Sequence, residues 1–337
     1  MHLRPASGVQ KRLRQGLAVL LFGCGLAFAA VPAVHAQSVW GGTTSTGDYN
    51  TDSEWTPATA PIAAGQSAVF DTGGTDTVNV SAGIAPDSWT FNANAQSFSI
   101  SGSSVTFSAG GGITNNASAG QFIGIFNNIA GAGAGVQQSG ASTLILAGSN
   151  SYTGGTFISA GTVQVTNANS VGTGLVLMNG GTFQVNGASD LTFANNFTVT
   201  GAGGTIDVNG TVLKLSGVIN DVALGAFLNI TDSSGGFGTA VLSGANTLSQ
   251  ALIVTDARVK ATNASSIGNA TVTLDNGAFQ AGAAGLIFNN DFKLNAAGGS
   301  IDANGFTLAI AGNISDGNGP GLLQITDSTN TFGSVVL

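Results

Sequence analysis

The feature that most constrains the fold of this chain is a long internal repeat with a period of 96 residues. The segment Leu146–Asn150 returns as Leu242–Asn246, and the segment Asn179–Gln184 returns as Asp275–Gln280. One deletion then reduces the offset to 95, and the similarity continues to the segment Gln324–Ser328. Near-identical units that follow one another directly are typical of a solenoid, a scaffold built by stacking one structural unit on the next.

Short apolar triplets separated by turn residues fill each unit. A clear example is Phe183-x-Val185, which returns as Phe279-x-Ala281. This period of two predicts strands of three to five residues whose alternate side chains face one core. Strands this short become stable when each lies directly over its copy in the next coil. With about three strands per coil, one unit is expected to contain roughly four coils.

The turn residues and the low charge select the fold class. Pairs such as Asn209-Gly210 and Asn304-Gly305 suit sharp corners with positive φ. Charged residues make up only 7% of the chain, too few for the polar faces of ordinary amphipathic helices. The predicted fold is therefore all-β, a right-handed parallel β-helix, without a helix longer than about two turns. The competing fold is an antiparallel sandwich, which does not explain consecutive near-identical units.

The first 36 residues are predicted to be a signal peptide. Basic residues at positions 4–14 precede an apolar run over 17–30, and Val34 and Ala36 supply small residues before a cleavage point. Cleavage is therefore expected between Ala36 and Gln37. Two alternatives stay open at this stage, a transmembrane anchor formed by the apolar run and a lipoprotein signal at Cys24.

Removal of this leader leaves a strongly acidic chain. Residues 37–337 contain four cations, Lys or Arg, against 16 acidic residues, which gives a formal charge of −12. Such a chain has no basic stripe for nucleic acid or anionic membranes. His2, His35 and Cys24 all lie in the leader. Catalytic triads, Cys-His pairs and His-ligated metal sites are therefore excluded for residues 37–337.

Carboxylates are the remaining candidates for catalysis. Three aspartates of the first unit each have a copy in the second; they are Asp207 with Asp302, Asp221 with Asp316, and Asp232 with Asp327. A catalytic site occurs once, whereas a corner residue recurs in every unit. The repetition therefore favours turn capping by the aspartate side chains over catalysis.

A second set of acidic residues is not repeated. Its members lie near the start of the predicted mature chain; they are Asp48, Asp52, Glu54, Asp71 and Asp76. We interpret them as solvated loop charges, with weak Ca²⁺ binding at one rim as the alternative. The sequence thus predicts no catalytic residue, no cofactor and no metal site.

The repeat also sets the predicted domain boundaries. The signal peptide covers residues 1–36, and an N-terminal β-rich segment covers 37–142, where it is expected to form the first coils and cap the open edge. The first super-repeat covers 143–240 and the second covers 241–335. Residues 336–337 open a third copy.

The segment Leu144–Val163 resembles a known family repeat, the autotransporter-associated β-strand repeat, also called the passenger-associated transport repeat. The matching positions are Leu146, Gly148, Asn150, Tyr152, Gly154, Gly155, Thr156, Ile158, Gly161 and Val163. The second copy departs from this pattern, because Leu248 replaces the tyrosine and Gln250-Ala251 replace the glycine pair. The segment from Trp40 to Phe70 is similar to the N-termini of such passengers.

The resemblance implies a function and partners. It implies a non-enzymatic β-helical passenger of a Gram-negative autotransporter, secreted or displayed on the surface, which serves adhesion or another surface interaction. Its implied partners are an outer-membrane translocator barrel and a host-surface or matrix protein or glycan. We expect the barrel to be absent from this chain, which would be either a fragment or a truncated product that remains periplasmic. The alternatives are a polysaccharide-active β-helix enzyme that uses carboxylates and an export scaffold with no ligand.

Overall fold

The computed structural model of the protein describes residues 36–43, 47–108, 110–187 and 190–337. Over this part, the chain winds into a parallel β-solenoid of about 12 turns, which confirms the predicted fold class. The helix content of the described residues is one short 3-10 helix, Asp52–Glu54. No helix in the described ranges is long and apolar enough to cross a membrane. The predicted signal peptide lies outside the described residues except for Ala36.

Three sheets run along the solenoid, and the chain visits them in turn. The first sheet has ten strands, in order β2 (Trp55–Thr56), β1 (Ala36–Trp40), β3 (Gln66–Phe70), β5 (Ser88–Phe91), β8 (Gly112–Asn115), β11 (Gly135–Gln138), β13 (Thr156–Ile158), β15 (Val176–Met178), β18 (Phe197–Val199) and β21 (Ile219–Asp221). The second sheet has twelve strands, β4 (Thr77–Val80), β6 (Phe98–Gly102), β9 (Phe122–Ile125), β12 (Thr143–Leu146), β14 (Thr162–Val165), β16 (Thr182–Val185), β19 (Gly204–Asp207), β22 (Phe227–Thr231), β24 (Ala251–Thr255), β26 (Thr271–Asp275), β29 (Phe292–Leu294) and β32 (Ile314–Asp316).

The third sheet has seven strands, β17 (Leu191–Phe193), β20 (Val212–Leu215), β23 (Thr239–Leu242), β25 (Arg258–Ala261), β27 (Gly277–Ala281), β30 (Gly299–Asp302) and β33 (Leu323–Thr326). Two shorter sheets complete the circuit. One contains β7 (Val105–Thr106) and β10 (Ile129–Ala130), and the other contains β28 (Leu286–Phe288), β31 (Thr307–Ile310) and β34 (Ser334–Val336). The sheet of β7 and β10 occupies, in the N-terminal coils, the face that the third sheet forms later. The sheet of β28, β31 and β34 occupies, in the C-terminal coils, the face that the first sheet forms earlier.

The core is built from columns of stacked apolar residues. On the second sheet, Leu144 pairs with Val163, Val163 with Phe183, Phe183 with Ile206, and Ile206 with Ile230. All five side chains are fully buried. Val163 lies 19 positions after Leu144, whereas Ile230 lies 24 positions after Ile206, so the length of a coil varies. Phe183, Val185, Phe279 and Ala281 are buried as the apolar triplets predict.

The two super-repeats do not lie over one another on the same sheet. Strands β13, β15 and β18 belong to the first sheet, whereas their sequence copies β24, β26 and β29 belong to the second sheet. Likewise β14, β16 and β19 lie on the second sheet and their copies β25, β27 and β30 on the third. Each strand lies over the equivalent strand of the next coil, as expected, but its copy about 96 residues later lies on another sheet. With about 22 residues per coil, a unit of 96 residues makes four full turns of the solenoid and roughly a third of a fifth turn. Each strand of the second unit therefore lies on the sheet next to that of its copy in the first unit.

The N-terminal coils have a different core. Trp40, Tyr49, Trp55, Phe70 and Trp89 are buried together, with neighbouring ring centroids 4.7 to 6.4 Å apart. Such aromatic contacts add to the stabilisation from burial alone. Strand β2 pairs antiparallel with β1, and the register joins Trp40 to Trp55. This antiparallel strand covers the edge that the first sheet would otherwise expose.

Candidate functional site

The repeated aspartates lie at corners, where they accept hydrogen bonds from the backbone. Asp207 accepts from the N–H groups of Asn209 and Ser233, both at 3.0 Å. Its copy, Asp302, accepts from Asn304 and Ser328, both at 2.9 Å. The Asn209 and Asn304 backbones have φ of 45° and 48°, which confirms the predicted positive-φ corners. These carboxylates cap turns, as their repetition indicated.

Asp232 is held still more fully. Its carboxylate accepts hydrogen bonds from the N–H groups of Gly210 and Ser234 at 2.8 Å, from the Ser234 hydroxyl at 2.6 Å, and from the Gly238 N–H. Burial acts to raise the pKa of Asp232, but these hydrogen bonds outweigh it and keep the pKa below its ordinary value. Asp302 and Asp327 show the same balance of causes and the same lowered pKa. A carboxyl group held ionised in this way is a poor general acid.

The third repeated pair is not equivalent in its contacts. Asp221 accepts hydrogen bonds from the N–H and hydroxyl of Ser249, both at 2.7 Å, and from the N–H of Gln250 at 3.0 Å. Asp316 instead accepts from the N–H of Gly321 at 3.1 Å. Sequence equivalence therefore does not determine the contacts of Asp221 and Asp316, although Asp207 and Asp302 keep equivalent contacts.

The unrepeated acidic residues have separate hydrogen-bond partners. Asp48 accepts from the Asn50 N–H, Asp52 from the Ala60 N–H, and Asp71 from the side chain of Asn92. Among the residues that the structure describes, no group of three or more His, Cys, Asp or Glu could hold a metal ion.

Glu54 does not fit the interpretation of this set as solvated loop charges. Its side chain is only 1% exposed, and its carboxylate accepts the Thr43 N–H at 2.5 Å. Its carbonyl accepts the N–H groups of Gly41 and Gly42. The acidic side chain is therefore part of the N-terminal coil, and the sequence-based interpretation was wrong at this position.

Two repeat positions join neighbouring coils through buried asparagines. The Asn150 amide donates to the Ser170 carbonyl at 2.6 Å, and its oxygen accepts the Ile129 N–H at 2.8 Å. Asn246 makes the same pair of bonds, to Ser266 at 2.6 Å and from Ile219 at 2.7 Å. Each asparagine thus satisfies buried backbone groups in the coils on both sides of it.

Tyr152, another position of the repeat pattern, is also structural. Its ring is fully buried, and its hydroxyl lies 2.6 Å from the hydroxyl of Thr156. The Thr156 hydroxyl is in turn 3.3 Å from the Val171 carbonyl. Burial raises the pKa of Tyr152 far above its ordinary value, so the phenol stays protonated.

An exposed aromatic groove lies on the outer side of the second sheet. Phe122 and Phe126 flank Gly124 on and just after β9, and they are 54% and 50% exposed. A Cβ at Gly124 would lie 2.8 Å from the Phe126 ring, so the ring occupies the space that a side chain would fill. Phe98 and Ile145 line the same depression, whose volume is about 240 Å³.

A polar depression of about 540 Å³ adjoins this groove, because Asp76 and Ser97 line both. Its other lining residues include Gln96 and Gln121. The Ser97 hydroxyl donates to the Gln121 side chain at 2.9 Å and accepts the Phe122 N–H at 3.0 Å. Side-chain contacts thus link the polar and aromatic parts.

The sequence reasoning did not single out Phe122 or Phe126. A signal was present in the segment Phe122–Phe126, where apolar residues occupy inward and outward positions alike. Ile123 and Ile125 are the buried residues of this strand. An ordinary half-buried strand alternates apolar with polar residues, so apolar residues on both sides mark an unusual outer surface.

A known family of repeats matches the part of the chain in which Asn150 and Tyr152 make their buried contacts. The model of the passenger-associated-transport-repeat family matches residues 136–165, which contain Asn150, Tyr152 and Thr156. This part of the chain is therefore a passenger-associated transport repeat. It is 46% identical over 89 residues to the adhesin BmaC autotransporter of Brucella suis biovar 1 (strain 1330). This alignment covers 26% of this chain and about 2% of the much longer relative. No solved structure matches the chain.

The predicted signal-peptide cleavage bond, between Ala36 and Gln37, lies at the start of β1. Ala36 pairs with Gln66, and Gln37 pairs with Ser67. Cleavage at this bond would remove one residue from the strand and leave Gln37–Trp40 paired with β3 and β2.

Proposed function

We propose that this chain is a non-enzymatic segment of a surface-displayed or secreted autotransporter passenger, and that it supports adhesion or another surface interaction. The observation that carries the proposal is the use of the repeat residues. Asn150 and Tyr152 are buried and make hydrogen bonds within the solenoid. A repeat whose pattern residues build coils lengthens a rod, and a rod holds binding surfaces at a distance from the cell.

The state of the carboxylates supports a non-enzymatic role. A retaining or inverting glycosidase needs one carboxyl group that carries a proton near neutral pH. Asp232 and Asp302 have lowered pKa values, and their oxygens accept hydrogen bonds from turn residues. These contacts favour the corner role over the alternative of a polysaccharide-active enzyme.

Export completes the proposal. The signal peptide would be cleaved between Ala36 and Gln37, and an outer-membrane translocator domain would be the partner that carries the passenger outward. Residues 37–142 would form the capped N-terminal end, followed by the super-repeats 143–240 and 241–335. The similarity to an adhesin supports the adhesive role.

The proposal can be tested with residues 1–337 fused to a heterologous translocator domain in a Gram-negative host. We expect Gln37 at the N-terminus, loss of the passenger after external protease treatment, and adhesion to a matrix- or cell-coated surface above that of the translocator domain alone. A fusion that is displayed without any gain in adhesion contradicts the adhesive role. Turnover of a polysaccharide by the purified protein that is lost in Asp232→Asn contradicts the non-enzymatic role.

A further inference from the structure

We propose that the groove around Phe122, Gly124 and Phe126 binds an uncharged glycan chain. The inference deepens the proposed function, because it names the ligand of a displayed passenger. Its starting point is the pair of half-exposed rings on the outer surface of the second sheet. Outward-facing strand positions normally carry polar side chains, so an exposed pair of large apolar side chains beside a depression indicates an interaction site.

Hydrogen bonds hold the backbone that carries the two rings, and the Phe126 ring packs on Gly124. The Phe126 ring lies over Gly124, and the Phe126 N–H donates to the Ile100 carbonyl at 2.8 Å. The Phe122 N–H donates to the Ser97 hydroxyl at 3.0 Å. Gly124 is in register with Ser99 on one side and Ile145 on the other. Gly124 therefore leaves room for the Phe126 ring, and this contact limits the movement of the ring, which reduces the conformational entropy that binding must remove.

The chemistry of the lining matches the two sides of a sugar ring. The C–H face of a pyranose is apolar and packs on aromatic rings, which Phe122 and Phe126 offer. Its hydroxyl groups need both donors and acceptors, which the adjoining amides and hydroxyls supply. The side chain of Gln96 is fixed by donation to the Gly74 carbonyl at 3.0 Å, and that of Gln121 by the Ser97 hydroxyl. Within the described residues, the Gln121 amide nitrogen has no hydrogen-bond partner and is free to donate to a ligand.

The charge around the groove excludes acidic glycans. Asp76 contributes a carboxylate to both depressions, and no Lys or Arg is among their lining residues. The four cations of residues 37–337 are Lys214, Arg258, Lys260 and Lys293, none of them in the segments that line the groove. A uronate or sulfate group would therefore meet a like charge without a cation to offset it. A neutral glycan meets no such cost.

Affinity electrophoresis of the protein in native gels tests this inference. The gels contain hydroxyethylcellulose, galactomannan or dextran as neutral polysaccharides, and polygalacturonate as the acidic one. We expect at least one neutral polysaccharide to slow migration and polygalacturonate to leave it unchanged. The Phe122→Ala and Phe126→Ala variants are each expected to raise the apparent Kd roughly tenfold or more, and Gln121→Ala about fivefold.

Phe332→Ala is the matched control, because Phe332 is fully exposed and lies outside the groove. It should bind like the unmodified protein, and an unchanged thermal unfolding midpoint should show that all variants are folded.

Retardation by none of the neutral polysaccharides, equal retardation of all variants, or equal retardation by polygalacturonate overturns the inference. So does a dimer in sedimentation that Phe126→Ala dissociates, since the groove would then bind a second copy. Adhesion of the displayed fusion is measured separately, so adhesion that survives Phe122→Ala/Phe126→Ala rejects this site while the proposed function stands.

Discussion

The two super-repeats differ at the buried pair Tyr152 and Thr156, but both keep a buried asparagine nearby, Asn150 in the first and Asn246 in the second. In the first unit, Tyr152 and Thr156 share a hydrogen bond of 2.6 Å inside the core. In the second unit, the equivalent residues are Leu248 and Leu252, both buried. Both polar partners are replaced together, and the core loses a hydrogen bond without leaving a buried hydroxyl unpaired. The equivalent asparagines, Asn150 and Asn246, keep the same two hydrogen bonds.

This difference shows which part of the pattern the fold requires. The asparagine satisfies backbone groups of two neighbouring coils, and an apolar residue cannot replace it. The tyrosine satisfies only another side chain, so the pair can change as a unit. The glycine pair behaves like the tyrosine: Gly155 has a φ of 97°, whereas Ala251 begins a regular strand.

The largest effect is expected when the shared asparagine is removed. Asn150→Leu and Asn246→Leu should each destabilise the protein by about 3 kcal/mol, because each leaves a buried N–H and a buried carbonyl without a partner. Chemical denaturation measures the loss, and hydrogen exchange at the Ile129 and Ile219 amides locates it. Asn169→Leu, at an exposed position, is the control and should be nearly neutral. A neutral Asn246→Leu would show that the two repeats are not held together in the same way.

A smaller effect is expected at the glycine pair. Gly155→Ala should cost about 2 kcal/mol, because the backbone has positive φ and the new Cβ would lie 2.7 Å from the Leu175 carbonyl oxygen. The reciprocal change, Ala251→Gly, should cost only about 1 kcal/mol through chain entropy. Equal losses for the two changes would mean that the first repeat has no special need for glycine. Thermal unfolding of both variants provides the comparison.

The buried pair can be tested by a double-mutant cycle. Tyr152→Phe and Thr156→Val each remove one hydroxyl, and Thr156→Val leaves the Tyr152 hydroxyl buried without its partner. The double variant should therefore be more stable than the sum of the single losses predicts, by about 1 kcal/mol. Combining either change with Asn169→Leu should give additive losses. If the losses from Tyr152→Phe and Thr156→Val simply add, the two residues are not coupled. Coupling would then not explain why both are replaced in the second repeat.

The smallest effect concerns pH. The pKa of Asp232 lies below its ordinary value of 3.8, so its ionised form stabilises the folded state. That contribution is fully present above the ordinary pKa and is lost as the pH falls through the lower folded pKa. We expect a loss below about 1 kcal/mol between pH 5 and pH 2 that Asp232→Asn reduces. An acid limb that is unchanged in Asp232→Asn assigns the loss to other carboxylates.

Much of the fold could be predicted from the sequence, because its signals are local and repeated. The buried triplet Phe183-x-Val185 and the corner at Asn209 follow from the period of two and from the backbone preferences of Asn and Gly. The rotation of the second repeat by one face could not be predicted. The sequence period measures 96 residues, but the number of faces in it depends on coil lengths, which vary from 19 positions between Leu144 and Val163 to 27 positions between Leu213 and Ala240.

The site was less accessible to sequence reasoning. Phe122, Gly124 and Phe126 lie outside the repeated units, so no second copy marks them. Their role depends on registers between coils, which bring Ser99 and Ile145 alongside Gly124 and Thr77 alongside Ser99. Glu54 shows the same limit, because a charge in a loop-like segment proved to be buried by the N-terminal coil.

The rotation of the two repeats is the central structural claim, and cysteine cross-linking tests it most directly. Lys214 on β20 pairs in register with Val241 on β23, and Val241 is the sequence copy of Ile145 on β12. Neighbouring in-register residues lie about 5 Å apart, within reach of a disulfide. In a Cys24→Ser background, we predict that Lys214→Cys/Val241→Cys forms an intramolecular disulfide on mild oxidation. We predict that Asn229→Cys/Val241→Cys, which tests whether Val241 lies beside β22 on the sheet of Ile145, does not. Cross-linking of the second pair and not the first would contradict the rotated arrangement.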